Sequence, residues 1–391
     1  MFRDCIMEKI TKNCTGCRSC EQSCPKHCIK MVRDDEGFIV PRIDHNICID
    51  CGICHKICPQ NVEVYKNSPI KVYAVRNKCE KELFSSASGG AFAVLARQVL
   101  GDKNSAVVGA AYIDGDLHVG HLTIKNINEL YKLQSSKYVQ SDTLDSYLCA
   151  KKNLESGLKV LYSGTPCQIA GLKSFLRKEY DNLITIDLVC HGVPSPLLFE
   201  KYIAWLSCKY SKIDSYNFRD KGHGWGLNLR FKAGNISKTK PGVLDPYYYH
   251  FLKGNTYREC CYNCHYCRRE RVGDLTLGDY WGIGSEHPDF YSTKGVNCLL
   301  INTKKGEYLF DSVKEALYYL ESSYEKVARH NENLCHPSIR YEIRDHIYDG
   351  INEKGTHAFF KDNMAFPKSL KARISAMIPS RIMKLLRSIK K

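Results

Sequence analysis

Two stretches near the amino end, CTGCRSCEQSCP at 14–25 and CIDCGICHKICP at 48–59, decide the fold of that region. Each has the spacing C-x2-C-x2-C-x3-C-P, and every cysteine of the second stretch lies 34 residues after its counterpart in the first. A motif repeated at a constant offset with the same internal spacing indicates an internal duplication. The sequence therefore predicts two equivalent halves, each built around four thiols and a proline.

This cysteine spacing is typical of bacterial two-cluster ferredoxins, in which three closely spaced thiolates bind one [4Fe–4S] cube and the fourth reaches the other cube. The same rule assigns cluster one to Cys14, Cys17, Cys20 and Cys58, and cluster two to Cys48, Cys51, Cys54 and Cys24. Between the repeats, segments 29–32 and 38–43 flank a turn at 34–37 and predict a hairpin. A pair of zinc sites is the alternative, but such sites usually combine two C-x2-C knuckles.

Composition supports metal or redox chemistry over disulfides. The chain has 21 cysteines in 391 residues. No stretch approaches the ~20 apolar residues needed to span a bilayer, and residues 1–10 lack the apolar segment of a secretory signal. These features predict a cytoplasmic protein, in which thiols stay reduced. The net charge of +15 comes without a nucleic-acid motif, so no nucleic-acid partner is expected.

Beyond residue 66 the chain alternates predicted helices and strands. A helix opens near 84–90, and strands at 159–162 and 183–189 are each followed by a loop and a helix, which favours a partly parallel sheet. The predicted class is α+β / α/β, with a bacterial-ferredoxin-like domain followed by a mixed α/β domain. The predicted divisions are a ferredoxin domain at 1–66, the two parts of the α/β domain at 67–150 and 151–340, and a basic helical tail at 341–391.

A third group of cysteines is predicted in the α/β domain. Cys167 and Cys190 each follow a predicted strand, where ligands gather in such sheets, and Cys261 and Cys264 form a C-x2-C pair. Together they supply the four thiolates that a cube requires. Three alternatives stay open: a nucleophilic Cys167 at a helix start, a Cys190–His191 catalytic pair, and half of a zinc ribbon at 260–267 that recruits His265 or Cys267. Whether Cys167 or Cys267 completes a cube is also open. The other cysteines are read as small buried apolar residues: Cys5, Cys28, Cys79, Cys149, Cys208, Cys298 and Cys335.

Taken together, these pieces resemble the beta-subunit family of coenzyme F420 (deazaflavin) hydrogenase and dehydrogenase, from about residue 14 to about residue 310. The segments that carry the resemblance are SASGG at 86–90, SSKYVQS at 135–141, SGTPCQIAGLKSFL at 163–176, DLVCHGVPSP at 187–196, FRDK at 218–221, CYNC at 261–264 and GDLTLGDYWG at 273–282.

The resemblance implies an FAD-containing oxidoreductase with a [4Fe–4S] cluster beside the flavin. By this match, Cys167, Cys190, Cys261 and Cys264 look like the ligands of the third cluster. The residues that look like the flavin cradle are Ser88, Gly89, Gly90, Ser136, Lys137, Tyr138, Gly164 and Thr165. The chain differs from the hydrogenase subunit in carrying its own ferredoxin domain. It is more similar to a bacterial branch found with surface-polysaccharide genes, so FAD is expected rather than a deazaflavin coenzyme.

The expected function is an electron relay from a ferredoxin-type donor, through the clusters and FAD, to a small-molecule acceptor, or the reverse, in an anaerobe. The alternative is a non-catalytic subunit that docks a separate reductase or hydrogenase. Segment 374–391 alternates apolar and basic positions, as helices at membrane interfaces do, although a plain capping helix is favoured. No general acid or base is assigned among Asp187, His191, His223, Asp274 and Asp279.

Overall fold

The computed structural model describes residues 13–113, 115 and 117–367. The predicted interfacial segment 374–391 and Cys5 lie outside this range. The strands are β1 Ile29–Arg33, β2 Ile39–Ile43, β3 Lys71–Asn77, β4 Ser105–Ile113, β5 His118–Ile124, β6 Lys159–Gly164, β7 Leu183–Leu188, β8 Ser215–Asn217, β9 Asn228–Ala233, β10 Ile236–Pro241, β11 Leu275–Asp279, β12 Asn297–Ile301 and β13 Leu317–Ser322.

The α-helices are mostly short and lie between these strands. They are α1 Ser19–Gln22, α2 Ile53–Lys56, α3 Glu80–Ser85, α4 Ala91–Leu100, α5 Ser146–Glu155, α6 Pro166–Leu176, α7 Pro196–Tyr210, α8 Pro246–Leu252, α9 Ile283–Glu286, α10 Lys304–Asp311, α11 Tyr324–Ala328 and α12 Thr356–Asp362. Within the described range no helix is both long and apolar enough to cross a membrane.

The N-terminal unit repeats its local structure as the sequence predicts. Helix α2 begins 34 residues after α1, and the antiparallel hairpin β1–β2 lies between them, with Ile29 opposite Ile43. The hairpin turn is closed by Asp34, whose carboxylate accepts hydrogen bonds from the backbone N–H groups of Glu36 (3.1 Å) and Phe38 (2.8 Å). The predicted hairpin is confirmed.

An eight-stranded sheet forms the centre of the body, in the order β13-β3-β12-β11-β7-β6-β4-β5. Strands β11, β7, β6 and β4 are parallel to their neighbours in that run, and the outer pairs are antiparallel. The class is therefore mixed α/β, as predicted. The carboxyl ends of β6 and β7 lie side by side, because Gly164 is paired with Asp187. This register places the loops after both strands at one edge of the sheet.

A second, three-stranded sheet in the order β10-β9-β8 packs with α7, α8 and α12 around an aromatic core. Phe38 of the N-terminal hairpin belongs to the same core and is 2% exposed. Tyr348, Phe359 and Phe360 also join it, so the first part of the predicted tail at 341–391 is packed against the body. The N-terminal unit and the body therefore share apolar packing.

Two predictions of local structure are wrong. The helix expected to open near residue 84 is two helices, because the backbone of 86–90 leaves the helical conformation between α3 and α4. The cysteines expected to be buried include three exposed ones, Cys79, Cys208 and Cys335. Their positions lie at helix ends or in surface turns, where a small apolar side chain has no core to enter.

Candidate functional site

The first cysteine cage, which we call the inner cavity, contains the four thiols predicted for cluster one. Cys14, Cys17, Cys20 and Cys58 line it. Its remaining wall is largely apolar and includes Ile29, Met31, Pro41 and Ile43. The backbone N–H of Gly16 donates to the sulfur of Cys14 at 3.3 Å, a contact that stabilises negative charge on a thiolate.

Burial makes these thiols poor acids by themselves. Burial raises the pKa of Cys14, Cys20 and Cys58, that of Cys58 to about 11, and neighbouring thiols raise it further. A coordinated metal ion inverts this effect, because its positive charge deprotonates a bound thiol. The inner cavity therefore suits a metal centre better than a set of free thiolates.

The second cage, the outer cavity, contains the four thiols predicted for cluster two. Cys24, Cys48, Cys51 and Cys54 line a space of about 370 Å³. Cys51 is exposed, and the neighbouring Ile49 is 58% exposed. The outer cavity therefore lies at the surface of the protein.

Cys28 adds a fifth thiol to the outer cavity, which the sequence did not predict. Its sulfur lies 3.3 Å from that of Cys24. Cys28 is buried, as expected from the sequence, in a small apolar cluster with Cys24 and Ile29, and it also lines the outer cavity. Within the described residues, no group of three or more Cys, His, Asp or Glu side chains has the arrangement to hold a single metal ion. A cube spreads its four thiolates over four irons, so its ligands stand further apart.

A third cage, the central cavity, lies at the carboxyl ends of β6 and β7. It is lined by five cysteines: Cys167, Cys190, Cys261, Cys264 and Cys267. Cys167 is placed by a capping box at the start of α6, in which Thr165 and Gln168 bind each other's backbone. The four predicted ligands are therefore brought together.

Cys267 shares the central cavity, so the choice of the fourth ligand stays open. A hydrogen bond from Cys267 is the largest cause that lowers the pKa of Cys264 to about 7, while the same bond and burial raise the pKa of Cys267. His265, the other candidate of the zinc alternative, is exposed and lines a different hollow.

Beside the central cavity lies a pocket of about 260 Å³, which we call the polar pocket. Seven of the eight residues assigned to the flavin cradle line it: Ser88, Gly90, Ser136, Lys137, Tyr138, Gly164 and Thr165. Gly89 lies between two of these residues but does not itself line the pocket, so its part in the cradle stays a prediction. A Cβ atom at Gly89 would lie 2.5 Å from the backbone nitrogen of Asn297 and would overlap the carbonyl of Val75, so this glycine permits close packing on β3 and β12.

One end of the polar pocket is electropositive. Gly90, at φ +77°, begins α4, and the first turn of that helix, 91–93, lines the pocket. Lys137 also lines it; its ammonium group donates to the carbonyl oxygens of Ala110 and Gln134, each at 2.9 Å. Burial lowers the pKa of Lys137 to about 7. A helix N-terminus and a cation that contacts no carboxylate in the described residues form an environment that favours a bound anion.

The same wall contains a buried donor without a partner. The amide nitrogen of Gln134 is buried and makes no hydrogen bond within the described residues, and Gln134 lines the polar pocket. A buried unsatisfied donor costs about 1–3 kcal/mol. A ligand acceptor in the pocket would recover that free energy.

Sequence reasoning missed His121, which lies on β5 and lines the polar pocket. Its Nε2 donates to the carbonyl oxygen of Ser163 (3.2 Å), so its Nδ1 accepts from the hydroxyl of Ser141 (2.8 Å). Burial lowers the pKa of His121 to about 4, so the ring is neutral near pH 7. A lone histidine in a strand carries no sequence signal that it lines a pocket.

The acidic candidates named from the sequence have structural partners. Asp187 accepts hydrogen bonds from Arg271 and Thr276, and Asp274 accepts from Thr185. Asp279 forms a two-point ion pair with Arg219, at 2.6 and 2.8 Å. Of these three carboxylates, Asp279 lines the polar pocket.

Two stacked tryptophans lie next to Asp279 at the polar pocket. The indole N–H of Trp225 donates to Asp279 at 2.8 Å, and its ring stacks on Trp281, which also lines the pocket, with ring centroids 5.1 Å apart. The remaining candidates differ in position: His191 lines both the polar pocket and the central cavity, whereas His223 is exposed and lies outside both.

The four spaces adjoin one another in a row. The outer and inner cavities share Cys54, the inner and central cavities share Thr15, and the central cavity and the polar pocket share Cys190 and His191. Because each neighbouring pair of spaces shares lining residues, an electron that enters at the surface can pass from one space to the next until it reaches the polar pocket.

This fold and these cages define an iron–sulfur electron-transfer protein of the oxidoreductase type. Residues 157–327 match the family model for the carboxy-terminal part of the beta subunit of coenzyme F420 hydrogenase/dehydrogenase, and residues 13–90 match the model of a 4Fe-4S dicluster domain. Residues 157–327 are thus similar to the coenzyme F420 hydrogenase/dehydrogenase beta-subunit family, and residues 13–90 are similar to dicluster domains. The family resemblance of the sequence is confirmed.

Individual relatives agree with this assignment. A coenzyme F420-dependent sulfite reductase of Methanocaldococcus jannaschii is 27% identical over 311 residues, which cover 70% of this chain and 47% of that protein. A ferredoxin 7Fe of Hydrogenibacillus schlegelii is 42% identical over 52 residues, which cover 13% of this chain and 60% of that protein. The chain therefore spans about half of the first relative and three fifths of the second.

Among solved structures, a chain of the F420-reducing [NiFe] hydrogenase complex from Methanosarcina barkeri is similar, with a TM-score of 0.43 and 15% identity. The match covers 68% of this chain and 91% of that chain.

Proposed function

We propose that this protein is an iron–sulfur flavoprotein oxidoreductase. Electrons from a ferredoxin-type donor enter at the outer cavity, pass through the inner and central cavities, and reach FAD in the polar pocket; a small-molecule acceptor then takes them. The observation that carries this proposal is the row of four adjoining spaces, three lined by cysteines and the last by polar residues.

The described residues fit three [4Fe–4S] clusters. Cluster one would be held by Cys14, Cys17, Cys20 and Cys58, cluster two by Cys24, Cys48, Cys51 and Cys54, and cluster three by Cys167, Cys190, Cys261 and Cys264. In each half of the duplication, one backbone N–H donates to the first cysteine, from Gly16 at 3.3 Å and from Asp50 at 3.4 Å. Such bonds stabilise a reduced cluster.

The polar pocket fits the phosphates of a dinucleotide at the first turn of α4. Lys137, Gln134 and residues 90–93 line the same space. The backbone N–H of Ala91 already donates to the side chain of Asn297 at 3.1 Å, so a phosphate would be bound by the N–H groups that follow it in the first turn. A bound flavin supplies the exchange between single electrons and electron pairs. The role of this chain is to hold the cofactor next to the central cavity, where Cys190 and His191 form the shared wall.

The finer parts of the proposal rest on the sequence resemblance. They are the preference for FAD over a deazaflavin coenzyme, a substrate from surface-polysaccharide metabolism, and a cytoplasmic location. A screen that offers candidate acceptors to the anaerobically reduced protein, and follows reoxidation of the flavin absorbance, identifies the substrate class.

The test of the function is the variant Cys190→Ser, purified anaerobically. Reduced ferredoxin should reduce the flavin of the wild type, whereas Cys190→Ser should keep about eight irons and lose flavin reduction, since the central cluster lacks one ligand. Cys208→Ser is the control, since Cys208 is an exposed cysteine that lines none of the four spaces, and it should keep about twelve irons. Unchanged flavin reduction in Cys190→Ser would refute the role of the central cavity.

A second function is a non-catalytic subunit that passes electrons to a separate enzyme. It is supported by the match to the sulfite reductase, because more than half of that protein lies outside the matched region. Turnover of a small-molecule acceptor by the isolated chain supports the enzyme, and cluster reduction without such turnover supports the subunit.

A further inference from the structure

Four arginines are buried in the body: Arg219, Arg258, Arg271 and Arg344, at 2%, 5%, 1% and 1% exposure. Three of them have a carboxylate partner. Arg219 contacts Asp279 at 2.6 Å, Arg271 contacts Asp187 at 3.0 Å and Arg344 contacts Glu36 at 2.5 Å. Arg258 forms no ion pair within residues 13–113, 115 and 117–367. A buried charge without a counter-charge is strongly unfavourable, so Arg258 requires a different kind of anion.

The position of Arg258 lies between two cysteine cages. Its Nε donates to the carbonyl oxygen of Cys14, a ligand of the proposed cluster one. Its own carbonyl accepts from the backbone N–H of Cys261, in the central cavity, at 2.9 Å. The guanidinium group is held by Gln140 (3.2 Å) and by the ring of Phe38, whose centroid is 5.3 Å away. Through Cys14 and Gln140, the guanidinium group therefore contacts one residue that lines the inner cavity and one that lines the central cavity.

The charged groups that face Arg258 are mainly thiols. Arginine stays protonated in proteins, and the acidic side chains near Arg258 are those of Cys14, Cys260, Asp34 and Cys261. Asp34 already accepts the two backbone hydrogen bonds of the hairpin turn. The arginine thus remains charged in an environment whose other anions would be the thiolates of two clusters.

We propose that Arg258 is a positioning residue that serves as the shared counter-ion of clusters one and three and raises the reduction potentials of both above that of cluster two. This inference rests on the proposed function, because it requires both clusters to be bound. Reduction adds one negative charge to a cluster, and a buried cation interacts with that charge more strongly than the same cation would at an exposed site. The gradient drives electrons from the surface inward.

The test is a redox titration of the full anaerobic protein, followed by electron paramagnetic resonance. In Arg258→Gln the ratio of reduced to oxidised cluster, at a fixed potential, should fall about tenfold for clusters one and three, which is about 59 mV for one electron. Cluster two should not shift. Arg344→Gln is the matched control. Arg344 is a buried arginine that lies over the same Phe38 ring, but it already has Glu36 as its ion-pair partner.

Arg258→Lys keeps the positive charge and should keep the potentials of clusters one and three close to those of the wild type, which separates the effect of charge from that of packing. If the reduction potentials of all three clusters shift equally in Arg258→Gln, or if none of them shifts, this role is overturned while the proposed function stands. A lysine variant that shifts as far as the glutamine variant would also overturn it. A wild-type protein that binds two clusters instead of three would overturn both the role of Arg258 and the proposed function.

Discussion

Residues 14–25 and 48–59 can be compared position by position, because a constant offset relates them. Gly16 and Asp50 both have positive φ, at 69° and 52°, and so do Arg18 and Gly52, at 62° and 68°. The N–H groups of Gly16 and Asp50 both donate to the first cysteine of their motif. The local cage is therefore the same in both halves.

The surroundings of the two halves differ. A Cβ atom at Gly16 would overlap the side chain of Gln140 and lie 2.9 Å from the carbonyl of Ile39, whereas a Cβ at Gly52 has no atom within 4 Å. Arg18 pairs with Asp142 of the body at 2.7 Å. The comparison teaches that both halves share the same cage, while the first half is packed against the body and the second lies at the surface.

Removing one equivalent ligand from each half gives the largest expected contrast. Cys17→Ser and Cys51→Ser should each lose one cluster and about four irons. With reduced ferredoxin as donor, both should stop flavin reduction. With a small diffusible reductant, Cys51→Ser should retain it, because the inner and central clusters remain connected, whereas Cys17→Ser should lose it. If Cys17→Ser and Cys51→Ser behave alike with both donors, the assignment of cluster one to the interior and cluster two to the entry point is contradicted.

Gly16 and Gly52 occupy different positions of the motif but both have positive φ, and they should show a smaller difference, in stability. Gly52→Ala should lower the free energy of unfolding by about 1 kcal/mol, because alanine disfavours the left-handed backbone conformation. Gly16→Ala adds steric overlap with the body, for a total of about 3 kcal/mol. The loss of cluster absorbance on heating measures both. A midpoint that falls equally in the two variants would show that the first half is not packed against the body as described.

The smallest effect concerns pH and the hairpin between the halves. His118 lies 3.8 Å from Glu200, which also binds Arg33 of the hairpin at 2.7 Å. The bond to Glu200 raises the pKa of His118 above 6.5, so its contribution is complete below about pH 6.5 and is lost as pH rises through the folded value. Both side chains are partly exposed, so the loss should be about 0.5 kcal/mol.

The variant His118→Gln is the control for this pH effect. Between about pH 6 and pH 8.5, the difference in thermal midpoint between wild type and variant should shrink. A difference that grows with pH would have the wrong sign for a histidine stabilised in its charged form.

The cages were predictable because metal ligation requires a fixed local spacing. The hairpin and the partly parallel sheet followed from alternation and turn residues, and the four predicted ligands of the central cavity do meet. In contrast, the hydroxyl of Thr143 donates to the carbonyl of Cys17 across 126 residues of sequence. No local pattern encodes such a contact, so the placement of the inner cavity against the body could not be derived.

The remaining misses have a similar cause. Glycines near a helix start suit phosphate binding, but the packing of Gly89 between strands is a role that local sequence does not reveal. Cys28 is buried as expected, whereas its place in the wall of the outer cavity depends on the fold of the whole domain. His121 and Arg258 acquire their roles from neighbours far away in sequence, and single residues of these types carry no signature.

The most direct measurement is the iron and flavin content of the full chain after anaerobic reconstitution, together with its electron paramagnetic resonance spectrum after reduction. A row of three cages beside a flavin pocket requires about twelve irons and one flavin per chain, with signals from three cubes. About eight irons without a yellow chromophore would contradict the central cluster and the flavin site, and the absence of any cube signal would contradict the whole relay.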